Sequence, residues 1–75
     1  MTLPEKICAA VEKSIPNSEV TVEDMTGGGD HFEVIVVSPA LRGRPLIEQH
    51  QMVHASLEAL RDAIHALKIR TLAPP

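Results

Sequence analysis

Four histidines, one cysteine and seven cationic side chains are the residues of this 75-residue chain whose types could do chemistry. His50 and His54 stand at the i, i+4 spacing of zinc sites on helices. The zinc-protease pattern needs Glu directly after the first His, and Gln51 stands there instead. With no third ligand evident, the pair reads as a hydrogen-bonded His50 at the core edge and a solvated His54. Cys8 has neither a CxxC partner nor a nearby His and reads as a small buried hydrophobe. The stretch "TGGGDHF" places three glycines ahead of His31. Phosphate loops lead into a helix N-terminus and carry GK[ST], whereas these glycines precede a strand, which makes them hairpin residues. Arg42, Arg44, Lys68 and Arg70 could form a basic patch for nucleic acid. Against that stand a net charge of -3 and the lack of stacking aromatics, Phe32 being the only aromatic residue. No Ser/His/Asp or paired-carboxylate arrangement stands out, and so small a chain has little concave interior, so no enzyme is expected.

The elements that must position these residues follow from pattern. At 44% hydrophobic and 23% charged, the composition is globular. One domain over residues 1–75 can bury only roughly 60–65% of its unfolded surface, which allows one thin core. Met1 to Glu12 lacks a basic leader and an apolar segment, and the longest strongly apolar run is Val34 to Val37, so neither signal peptide nor membrane span is expected. A lone cysteine rules out an internal disulfide and suits a reducing compartment, and the expected location is cytoplasmic.

Thr2-Leu3-Pro4-Glu5 has the form of a capping box, predicting a helix from about Leu3 to Ser14 that ends before Pro16. Val20 and Val22 alternate with Thr21 and Glu23 as in a strand with one wet face. Gly27 to Gly29 turn into a second strand, His31 to Ser38. Phe32, Val34 and Val36 point one way there, Ile35 and Val37 the other, and a strand apolar on both faces is expected in the middle of a sheet. Ser38 to Pro45 reads as a loop. Leu46, His50, Val53, Leu57 and Leu60 recur at helical spacing, predicting an amphipathic helix ending near Asp62. Ile64 to Thr71 reads as a third strand. A strand, crossover helix, strand unit is almost always parallel. If the third strand neighbours the second, His31 and His65 start them at the same sheet edge, with strands about 4.8 Å apart.

From His31 onward, "HFEVIVVSPALRGRPLIEQHQMVHASLEALRDAIHALKIRT" resembles the BolA family in its "VVS" strand, "QHQMV" and "IHAL". The "GGGDH" loop looks like the short-loop, acid-stress-type bacterial branch. The resemblance implies an α+β fold of order α-β-β-α-β with a mixed three-stranded sheet, similar to a class II KH domain. It further implies a non-enzymatic adaptor in iron-sulfur cluster assembly or trafficking, partnered by a monothiol glutaredoxin. In such a complex a two-iron two-sulfur cluster is shared with the glutaredoxin thiolate and glutathione, the isolated chain holding no cofactor. Carried over by motif, the "IHAL" histidine is His65, the principal ligand. Many relatives place a second Cys or His in the loop before the second strand, where this chain has Thr26 to Asp30, and His31 is the nearest candidate.

Two histidines in place of two cysteines make a cluster less negative and raise its potential, and binding requires neutral imidazole. The alternative is a KH-like DNA-binding transcriptional regulator of stress response and cell morphology, using Arg42, Arg44, Lys68 and Arg70. "GRPL" has no second glycine to complete a GxxG loop. Leu41 stands where many members have Phe, Gln49 where many have Arg, and "TLAPP" where many have a longer tail. Alone, the chain is expected to be a monomer or weak homodimer.

Overall fold

The computed structural model describes residues 2–28, 31–64 and 66–74. Helix α1 spans Leu3–Ser14, strand β1 Glu19–Asp24, strand β2 His31–Val37, helix α2 Leu46–Ser56 and strand β3 Ala66–Leu72, with 3-10 turns at Pro39–Leu41 and Glu58–Ala63. The sheet order is β1-β2-β3, antiparallel then parallel, so the central strand is the one expected.

Helix α1 begins as its first residues dictate. The Thr2 hydroxyl accepts the Glu5 N–H at 3.4 Å, and the Glu5 carboxylate accepts the Thr2 N–H at 3.2 Å. Bonds from the Thr2 side chain and backbone favour the charged carboxylate, so the Glu5 pKa lies below its usual value. The cap therefore helps above the ordinary glutamate range and is lost as pH falls through the lowered value. At the other end the Ile15 N–H still reaches the Val11 carbonyl at 2.8 Å, after which Pro16 and a left-handed Asn17 (φ 55°) turn the chain into β1.

Period-two alternation in β2 sets the core. Phe32, Val34 and Val36 are fully buried and join Ile7 and Val11 of α1, Ile15 just beyond it, Leu41, and Val53 and Leu57 in one cluster. His31, Glu33, Ile35 and Val37 point to the opposite, half-open face. Both helices thus cover one face of the sheet.

The crossover differs from the sequence expectation at both ends. Leu46 opens the apolar stripe yet is 62% exposed, because the buried stretch starts only at Val53. The α-helix stops at Ser56 rather than near Asp62 and continues as a 3-10 turn. There the Ser56 hydroxyl donates to the Val53 carbonyl at 2.6 Å and competes with the Leu57 N–H, which shares the Val53 and His54 carbonyls at 3.2 and 3.1 Å. Leu57 sits at φ -103°, ψ 7°, outside the helical well, and Ile64, expected to open β3, lies outside the strand, which spans Ala66–Leu72.

Candidate functional site

Residues β2 and β3 are in register from their first described positions: His31 opposite Ala66, Phe32 opposite Leu67, and so on to Val37 opposite Leu72. The two strands therefore open at one sheet edge. His31 is half-buried there, and its carbonyl accepts the Met25 N–H at 2.9 Å, closing the hairpin. An Asx turn sets that hairpin: one Asp24 carboxylate oxygen accepts the N–H groups of Thr26 (3.2 Å) and Gly27 (2.8 Å), with Gly27 at φ 77°. The glycine-rich stretch is hairpin structure as far as it is described, up to Gly28. His65, the principal expected ligand, lies outside the described residues, as do Gly29 and Asp30; the chain neighbours of His65, Ile64 and Ala66, lie within them.

A groove of about 230 Å³ adjoins this part of the chain, lined by His54, Leu57, Glu58, Arg61, Ile64 and Leu67. Its apolar floor comes from Leu57, Ile64 and Leu67. Its polar rim depends on the 3-10 turn, which the expectation of a longer α-helix had missed.

The other candidates fall apart from this edge. His54 is exposed, as expected, while His50 is half-buried at the core edge without the hydrogen bond expected of its ring; no such bond forms among the described residues. Among the described residues no three or more His, Cys, Asp or Glu gather closely enough to hold a metal ion. Cys8 is half-buried and its thiol donates weakly to the Val20 carbonyl at 3.8 Å. Burial first, then the charges of Glu12 and Glu5, push its pKa up, so it is a poor nucleophile.

The four cations of the basic-patch reading are dispersed in their engagements. Arg44 pairs with Glu48 at 2.6 Å and donates to the Ala40 carbonyl, and Arg42 donates to the Pro74 carbonyl. Lys68 lies 3.8 Å from Glu33, while Arg70 has no such partner among the described residues. The Arg44–Glu48 pair was legible as an i, i+4 couple.

A mixed three-stranded sheet with two helices on one face, and a histidine at the edge where its parallel strands open, defines a small α+β class. The sequence matches the BolA-like protein family over residues 6–75, and the chain belongs to that family. It is 38% identical to Protein BOLA2 of Arabidopsis thaliana over 76 residues, covering 100% of this chain and 82% of the relative. Its fold matches a bol-like protein from Babesia bovis with a TM-score of 0.84 at 23% identity, over 99% of this chain and 87% of the other; at that identity the likeness concerns the fold alone. BolA1 from Arabidopsis thaliana matches with a TM-score of 0.82 at 28% identity, over 95% and 90% of the two chains. Among the described residues no helix is long and apolar enough to cross a membrane.

Proposed function

We propose that this chain is a non-enzymatic adaptor that carries a two-iron two-sulfur cluster as cargo, shared with a monothiol glutaredoxin and glutathione. The observation that supports it most is the register of β2 and β3, which sets His31 opposite Ala66, the residue that follows His65 in the sequence. His31 thus opens β2 beside the first described residue of β3, and neighbouring strands lie only about 4.8 Å apart. Imidazole is a sound iron ligand, and being neutral it holds a cluster without adding negative charge. We assign His65 the principal role and His31 the secondary one, with the partner and glutathione completing the set. By its "GGGDH" sequence we assign the chain to the short-loop branch of the family.

The nucleic-acid reading has less support. Arg44 and Lys68 face carboxylates and Arg42 holds a backbone carbonyl, which lowers the charge available to phosphates.

Anaerobic co-purification with a monothiol glutaredoxin and glutathione tests the proposal through visible absorption and circular dichroism. Wild type should yield a heterocomplex whose cluster bands vanish with His65→Ala and weaken with His31→Ala. Unchanged bands in the His65→Ala complex would remove the ligand assignment. Salt-dependent, sequence-selective DNA binding by the chain alone would favour the rival.

A further inference from the structure

Charge pairing divides the molecule unevenly. The carboxylates of Glu33, Glu48, Glu58 and Asp62 each have a Lys or Arg partner. On the side built by α1 and β1, Glu12, Glu19 and Glu23 have none among the described residues. Strand β1 is also an edge of the sheet.

The hydrogen-bond pattern shows which backbone groups that edge offers. In an antiparallel pair, residues alternate between those that bond the partner strand and those whose N–H and C=O turn away from it. The Met25 N–H bonds the His31 carbonyl, so Glu23, Thr21 and Glu19 share its inward parity. Val20 and Val22 then turn their backbone groups outward. The Cys8 thiol confirms the parity by reaching the Val20 carbonyl. The thiol thus takes up only the outward carbonyl of Val20, and the outward groups of Val22 have no partner among the described residues.

Beside Val22 runs an open trough of about 410 Å³, lined by Pro4, Glu5, Cys8, Ala9, Glu12 and Val22. Its floor is apolar and small, and its rim is acidic. Lys6 and Lys13 belong to α1 but neither lines it.

We propose that the α1–β1 flank is a docking surface for an extended basic peptide segment of a partner protein, added as a fourth strand along β1. Main-chain bonds to Val22 would provide the pairing. Side chains on the helix face of the added strand would lay their aliphatic stems over Ala9 and Val22 and bring cationic heads to Glu12. Those on the opposite face would meet Glu19 and Glu23. A second copy joined symmetrically along β1 would oppose carboxylates to carboxylates, so the charge favours a basic partner over self-association. None of these contacts uses the edge where β2 and β3 open, so the surface stands independently of the cargo reading.

The test is a nitrogen-15 NMR titration of the intact chain with an acetylated peptide of alternating lysine and valine, about seven residues long, the length of an ordinary strand. Expected are saturable, salt-sensitive shifts at Cys8, Glu12 and Val20 to Asp24, with slower hydrogen exchange at the Val22 amide. Affinity should fall at least about tenfold in the exposed double variant Glu12→Lys, Glu23→Lys. The matching glutamate–valine peptide should not bind. Absence of binding, equal binding of the acidic peptide, shifts confined to β3, or undiminished binding of a peptide N-methylated at alternate amides would each overturn strand addition at β1.

Discussion

The two ends of the β2–β3 ladder are built from different materials. At the end that closes, around Val37 and Leu72, polar groups are fastened to one another. The Ser38 N–H bonds the Leu72 carbonyl at 3.0 Å, and its buried hydroxyl donates to the Pro16 carbonyl at 2.7 Å while accepting the Ala40 N–H at 3.1 Å. Gln49 gives its amide hydrogens to the carbonyls of Leu41 and Arg44, and its oxygen accepts the Thr71 hydroxyl. At the end that opens, around His31 and Ala66, the bonds described are those of the hairpin, the Met25 N–H on the His31 carbonyl and the Thr26 and Gly27 N–H groups on the Asp24 carboxylate. Satisfied buried polar groups hold a single arrangement, because leaving any of them unpaired is costly. The closing end is held in this way by interlocked polar side chains, and the edge proposed for the cargo lies at the opposite end of the same ladder.

Four substitutions test that division, taken from the largest expected effect to the smallest. His65→Ala should abolish cluster bands in the glutaredoxin complex, whereas Ser38→Ala, measured below its melting point, should keep them. If Ser38→Ala lost the bands as completely, the two ends would not be functionally separate. In the isolated chain Ser38→Ala should cost about 2 kcal/mol in urea unfolding, since it leaves the Pro16 carbonyl and the Ala40 N–H without their partner beside a fully buried side chain. Replacing Gln49 by Ala removes three bonds in a half-buried place and should cost about 1–2 kcal/mol by the same measurement. Gly27→Ala meets no steric neighbour and strains only a left-handed φ of 77°, so about 1 kcal/mol is expected, with cluster bands retained. A cost for Gly27→Ala above that of Ser38→Ala would reverse the comparison.

Much of this was legible in the residues. The capping box over Thr2 to Glu5 set the start of α1, and the alternation from His31 to Val37 set both the core face and the central position of β2. Helix-period spacing was a weaker guide in the crossover. It could count Leu46 into a stripe but could not register that the first turn of α2 leaves that side chain 62% exposed. Nor does spacing record a serine hydroxyl competing for a carbonyl, which is why the 3-10 turn and the groove it helps form were missed. For the site, the histidines could be named by type, by motif and by a shared edge, but the register that puts His31 opposite Ala66 is a tertiary fact. The open outer edge at Val22 likewise depends on hydrogen-bond parity, to which an alternating sequence is blind.

The parallel pairing of β2 with β3 also carries a consequence for how the chain folds. Its first partners, His31 and Ala66, are 35 positions apart (66 minus 31), whereas β1 and β2 meet across a short hairpin. Local pairings form early, and distant ones wait until a longer loop has closed. The hairpin and α1 should therefore assemble first and β3 dock last. In native-state hydrogen exchange β3 should open at lower free energy than β2, so that the edge proposed to hold the cargo is also the seam along which the molecule first comes apart.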